Sequence, residues 1–245
     1  MMNKTIGILG GVGPAAGIDL AGKILKHTKA DRDQEHINTI MVSCPSLVPD
    51  RTAYLLQNGE NPASGIEKCA NILARSGASV FGICCNTAHS PKILGQVNFP
   101  EGLRFINMID STCRFISETF TKGKIGLLST LGTMRTEIYD RYIENYPELE
   151  LVKPDETTAE AVHDAIYNHT YGIKAVSPVS EDAYRAVSSA VRSLSEKGCV
   201  AVILGCTELP LVFPGKSEFE GTALIDPTDV LAVELIKATE PAKLK

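Results

Sequence analysis

The sequence predicts an α/β fold made of two similar α/β halves, each a parallel sheet flanked by helices. Three observations predict it. Short apolar runs alternate with longer amphipathic segments, as in βαβ units. Several of the runs are apolar on both sides of the strand alternation, as expected where helices cover both faces of a sheet. The pattern also repeats about halfway along the chain.

In chain order, "TIGILGG" (5–11), "TIMVSC" (39–44), "SVFGICC" (79–85) and "RFINMI" (104–109) read as four strands. "GKIGLLST" (123–130), "LELVKP" (149–154), "CVAVILGC" (199–206) and "ALID" (223–226) read as four more. Between them lie helical patterns such as "GIEKCANILARSG" (65–77) and "SEDAYRAVSSAVRSLSEKG" (180–198). The repeat aligns "KTIGILGGVGP" with "GKIGLLSTLGT", and "FIN" (105–107) with "LID" (224–226), both at an offset of 119 residues. "GASVFGICCNT" aligns with "KGCVAVILGCTE", setting Cys85 on Cys206 at an offset of 121. Resemblance between any two βα units explains the apolar runs. It does not explain a matched cysteine at a matched strand end. The second half is expected to begin near "FINMID" and end near "PLVFPG" (210–215), and the tail "PAKLK" to fray.

The chain has 245 residues, a net charge of −5 and no basic run, which turns the search from nucleic acid towards a small polar metabolite. No apolar run approaches the roughly 18–20 residues that span a bilayer. "MMNKTIGILGG" reads as a lead into the first strand and not as a signal peptide. The seven cysteines are odd in number and irregular in spacing, which suggests reduced thiols and a cytoplasmic protein. No pair has zinc-finger spacing. Cys85 and His89 alone make a poor metal site, so no metal is expected.

Ligands of open parallel sheets gather outside the carboxyl ends of the strands, where Cys85 and Cys206 both stand. Two halves related by a pseudo-twofold axis would present one thiol each to a shared cleft. A thiol at a strand end before a helix meets backbone N–H groups and the positive end of the helix dipole. Both are expected to favour thiolate. Two matched cysteines, neither beside an obvious histidine, suggest proton transfer at both faces of one carbon.

"CCNTAHSP" and "ILGCTELP" resemble the two signatures of the cofactor-independent aspartate/glutamate racemase family, and "GILGGVGPAA" and "VPDRTAYLL" resemble its aspartate racemase branch. The resemblance covers essentially the whole chain. It implies an amino-acid racemase that interconverts L- and D-aspartate, and possibly glutamate, without pyridoxal phosphate or any other cofactor. Cys85 and Cys206 would be the acid and base. Asn86, Thr87 and Thr207, with nearby backbone N–H groups, would bind the α-carboxylate. Gly11 and Thr130, matched in the repeat, would line the cleft. Glutamate racemases tend to have histidine after the second Cys-Thr, where this chain has Glu208, which favours the aspartate branch. By the same resemblance the final helix returns to the first half, giving domains of 1–105 with 214–245 and of 106–213. A homodimer is also implied.

The remaining assignments carry alternatives. A second substrate carboxylate needs a cation, for which Arg51 is the first candidate and Lys174 the second. A solvated arginine and a surface lysine are the plainer readings. Glu208 could orient substrate, tune Cys206 or face a helix dipole. Cys84 competes with Cys85, but the repeat pairs it with Gly205, which makes it a small buried hydrophobe. His89 is expected to serve packing.

"GVGPAA" (11–16) fits the loose G-x-G-x-x-A dinucleotide pattern, but Asp33 and Glu35 precede the second apolar run instead of ending it. No lysine sits at a strand end beside a phosphate-type glycine loop, which disfavours pyridoxal phosphate. The rival functions are another paired-cysteine enzyme of the superfamily, a maleate isomerase or hydantoin racemase, and, further off, a non-catalytic amino-acid-binding protein.

Overall fold

A computed structural model describes residues 4–245; residues 1–3, read with the lead into the first strand, lie outside the described residues. The chain divides into two compact units. One runs through Ser111 and resumes over Thr228–Lys245; the other covers Thr112–Pro227.

The first stretch carries β1 (Ile6–Gly10), α1 (Pro14–His27), β2 (Thr39–Ser43), α2 (Arg51–Leu56), α3 (Ala63–Arg75), β3 (Val80–Ile83), α4 (Pro91–Leu94) and β4 (Arg104–Ile106). Then α5 (Met108–Thr119) crosses the boundary. The second carries β5 (Gly123–Ser129), α6 (Leu131–Arg135), α7 (Asp140–Ile143), β6 (Leu149–Val152), α8 (Glu156–Tyr167), α9 (Glu181–Glu196), β7 (Cys199–Gly205), β8 (Glu218–Phe219) and β9 (Thr222–Ile225). Last comes α10 (Pro227–Thr239).

Local chemistry sets these elements. Proline opens α1, where a missing N–H costs nothing, and Lys26 and His27 complement its last turn. In α9 the hydroxyl of Ser180 accepts from the Ala183 N–H at 3.1 Å. Ala183, Val187, Ala190, Val191 and Leu194 then bury one stripe of that helix. β1, β3 and β7 are buried along nearly their whole length, as strands covered on both faces must be.

Both sheets share one topology. In the first unit the order is β2-β1-β3-β4, and in the second it is β6-β5-β7-β9-β8. All pairings are parallel except β8 with β9. In this 2-1-3-4 order the connections reverse between the first and third strands of each unit. The crevice outside their carboxyl ends is where such sheets hold ligands.

Two expectations are corrected. The strand read as "ALID" does not leave the second half at residue 213: β9 pairs with β7, and the second unit extends to Pro227. Only α10 returns. It seats Leu231 against β3, where a Cβ on Gly82 would lie 2.9 Å from the leucine methyls. The His27 Nε2 on α1 meets Asp229 Oδ1 at 2.8 Å. The tail is not frayed. Leu244 bridges Thr28, the Lys29 N–H donates to Lys243 O at 2.6 Å, and the Lys245 N–H donates to His27 O at 3.0 Å.

Candidate active site

In the first unit, β1 is followed by Gly11, whose φ of +77° favours glycine. A Cβ there would lie 2.8 Å from the Cys44 nitrogen at the end of β2. The glycine therefore lets two neighbouring strand ends converge. Arg51 opens α2, which the Asp50 carboxylate caps by accepting from the Ala53 N–H at 2.6 Å. Its guanidinium folds onto the glycine loop: Nη2 donates to Val12 O at 2.6 Å and Nη1 to Pro49 O at 3.2 Å. Arg51 and Gly11 are thus brought together, and Arg51 is not a solvated surface arginine.

Cys84, Cys85, Asn86 and Thr87 follow β3, all buried. Cys84 is fully enclosed, while Cys85 keeps 6% exposure and packs in the same core as Val12. A single 3₁₀ turn, Thr87–His89, follows. His89 donates from Nδ1 to the Cys85 carbonyl at 2.8 Å and accepts the Met108 N–H on Nε2 at 3.3 Å. Burial lowers its pKa to about 4, against a smaller upward pull from the Cys85 carbonyl. A neutral ring with both nitrogens engaged is a strut, not a ligand. Among the described residues no three His, Cys, Asp or Glu side chains gather into a metal site.

In the second unit, Cys206, Thr207 and Glu208 follow β7 and are likewise buried, with 7%, 2% and 3% exposure. Cys206 Sγ donates to Glu208 Oε2 at 3.0 Å, and Thr207 Oγ1 donates to the same oxygen at 3.2 Å. Lys174 Nζ pairs with Oε1, and it also stands 5.7 Å from the centre of the Tyr167 ring. Lys174 is thus part of the Cys206 cluster and not a solvated surface lysine. Thr130 caps α6, its hydroxyl accepting from the Thr133 N–H at 3.3 Å. Beside it the Leu131 N–H donates to His163 Nδ1 at 3.4 Å, and the His163 and Tyr167 ring centres stand 4.8 Å apart. His163, Tyr167 and the fully buried Tyr139 escaped the sequence reading. The i, i+4 spacing of His163 and Tyr167 on α8 was the available signal for two of them.

The electrostatics correct one expectation. Each cysteine precedes only one 3₁₀ turn, Thr87–His89 or Leu209–Val212, too short to sum a helix dipole. Around Cys206 the surroundings hold the thiol well above its ordinary range. Burial contributes most and the Glu208 carboxylate next, with Lys174 opposing. Burial disfavours the charge of Glu208, yet Lys174 and the Cys206 and Thr207 donors together keep its pKa low. Burial likewise works against the Lys174 ammonium, but Glu208, with Cys206 and Tyr167 beside it, more than offsets the loss and holds the ammonium above its ordinary range.

Each of the two α/β units follows its third strand with a buried cysteine and a polar turn. The sequence profile described as Asp/Glu/Hydantoin racemase matches residues 9–235. The chain belongs to that family. An aspartate racemase from Picrophilus torridus is 28% identical, with a TM-score of 0.81 over 99% of this chain and 96% of that one. A putative Asp/Glu racemase from Yersinia pestis is 25% identical, with a TM-score of 0.76 over 96% of this chain and 99% of that one. A protein named glutamate racemase 3 from Caldanaerobacter subterraneus subsp. tengcongensis is 24% identical over 189 residues, spanning 76% of this chain and 64% of that protein.

Proposed function

We propose that this racemase interconverts L- and D-aspartate, with glutamate as a second substrate, by two-base chemistry at Cys85 and Cys206 and with no cofactor. The observation that carries the reading is the matched pair of buried strand-end thiols, one per unit, in a chain of this family. One cysteine, as thiolate, takes the Cα proton, and the electron pair delocalises into the α-carboxylate. The other, as thiol, gives its proton to the opposite face and is left as thiolate. Thiol and thiolate have then exchanged places, and the configuration has inverted.

In this reading Asn86, Thr87 and Thr207 hold the α-carboxylate, and Gly11 and Thr130 line the site from the first strand of their own units. Arg51 is the first candidate to hold the distal carboxylate and Lys174 the second, and Glu208 sets the charge around both Lys174 and Cys206. The aspartate preference is supported by the Picrophilus torridus likeness and by Glu208 after the second Cys-Thr. The protein is read as a cytoplasmic homodimer. Sedimentation at micromolar concentration tests the assembly.

The decisive experiment incubates the purified protein in D₂O with single enantiomers of aspartate, glutamate, other amino acids and a 5-substituted hydantoin, adding nothing else. Optical rotation and α-deuteration are followed together. Aspartate is expected to lose rotation and gain deuterium in both directions. Inversion of hydantoin alone, or of no substrate until pyridoxal phosphate is added, would overturn the proposal.

A further inference from the structure

Glu208 is an unusual neighbour for an acid/base thiol, because it is an anion buried as deeply as the thiol itself. The Cys206 Sγ–H points into Oε2 at 3.0 Å, and Thr207 Oγ1 occupies the same oxygen at 3.2 Å. Lys174 takes the other oxygen. The carboxylate thus has a cation on one side and two hydrogen donors on the other, an arrangement that only its ionised form can satisfy. A thiolate in place of the Cys206 thiol would leave two anions in hydrogen-bond contact in a dry site, which is strongly unfavourable.

We propose that Glu208 is a positioning residue for Cys206: ionised and pinned by Lys174, it orients the Sγ–H and keeps Cys206 protonated in the resting protein. In this predominant form Cys206 is the proton donor and Cys85 abstracts from the enantiomer whose Cα–H faces it; the opposite enantiomer is taken by the less populated form, with the proton on Cys85, that each turnover leaves behind. Lys174 moderates the hold, since its positive charge favours the thiolate. A substrate carboxylate that drew Lys174 towards itself would tighten the grip of Glu208 on the Cys206 proton until that proton is delivered to carbon. This assignment rests on the two-cysteine reading for its catalytic meaning, but the protonation state of Cys206 can be read without substrate.

The charged and titratable groups around Cys206 are Glu208 from its own turn, Lys174 from the segment after α8, and Tyr139 from the stretch between α6 and α7. Tyr139 is itself held neutral, by burial first and by neighbouring Cys113 and Asp226 next, so it adds no charge at neutral pH. The test is thiolate absorbance at 240 nm against pH in the full-length protein without substrate. The Cys206 signal is isolated by subtracting the matched Cys206→Ser protein.

Wild type should show Cys206 titrating above the ordinary thiol range. Glu208→Gln keeps the shape and removes the charge, and should lower the midpoint by at least one pH unit, giving about tenfold more thiolate at pH 8. If Glu208→Gln does not fold, Glu208→Gln with Lys174→Met removes the ion pair as a neutral unit and should still lower the midpoint, by less. A glutamate that only braces the turn would leave the midpoint in place, and an unmoved or raised midpoint overturns the inference. Racemisation of aspartate by wild type is scored separately. Its absence would sink the proposed function while leaving the titration result standing.

Discussion

At the scale of single residues, the two thiols and the histidine beneath one of them make separable predictions. Cys85→Ser and Cys206→Ser each remove one proton-transfer group, and each should cut racemisation by about 10²–10⁴-fold. Either variant can still exchange the α-proton of one enantiomer with D₂O. Full activity in both single variants would refute the two-base assignment. His89 predicts a pH dependence of stability. Its pKa is lowered to about 4 in the folded chain, against about 6.5 in the unfolded one. The unfolded chain therefore binds the extra proton throughout that window. The stabilisation is complete above pH ~6.5 and is lost as the pH falls towards 4, about 3 kcal/mol in all. Urea unfolding at pH 7 and pH 4 checks this, and His89→Asn should flatten that part of the difference. The placement of Cys85 and Cys206 just past matched strand ends was legible because strand-end position and the repeat mark it independently, whereas Asn86, Thr87 and Thr207 stood out only by resemblance to the family. Tyr139 was not legible, because nothing local distinguishes a buried aromatic facing a site from one facing the core; for His163 and Tyr167 the only local mark was their i, i+4 spacing on α8.

At the scale of elements, the glycine turn after β1 is the most exposed to test. Gly11→Ala forces a left-handed φ on alanine and drives its Cβ to 2.8 Å from the Cys44 nitrogen. The backbone strain alone is of order 1–3 kcal/mol. Because Val12 O receives the Arg51 guanidinium, the same change should also loosen Arg51 and raise the KM for aspartate more than it lowers kcat. A lowered denaturation midpoint with an unchanged KM would show that Arg51 does not hold substrate. The eight longer strands were readable from apolar runs bounded by glycine and polar residues. The two-residue β8 was not, since Glu218 and Phe219 are too few to show a period. The turns after the cysteines were read as helix starts, but each is a single 3₁₀ turn; after the first, Pro91 stands where an α-helix continued from Thr87 would need a donor.

At the scale of the whole molecule, the repeat held more than the domain boundaries drawn beside it from the family resemblance. "FIN" aligned with "LID", and the strands that contain them, β4 and β9, occupy equivalent places beside β3 and β7. That equivalence assigns β9 to the second unit. Only the helix after it belongs to the first, which amphipathic patterning cannot reveal because it does not name the sheet a helix will cover. Leu231, Leu235 and Ile236 of α10 are fully buried. Leu231→Ala should cost about 2–5 kcal/mol, measured by denaturant unfolding. Truncation after Pro227 should cost the first unit its cooperative transition, while the contiguous second unit keeps its own. A truncated chain with both transitions intact would contradict this partition.

That interrupted path has a bearing on biosynthesis. Chains emerge from the ribosome amino end first, so the segment Thr112–Pro227 is complete before the older N-terminal sheet receives its last covering helix. The part made first is the part finished last. A nascent chain halted at Pro227 should resist protease across its younger portion and yield across its older one.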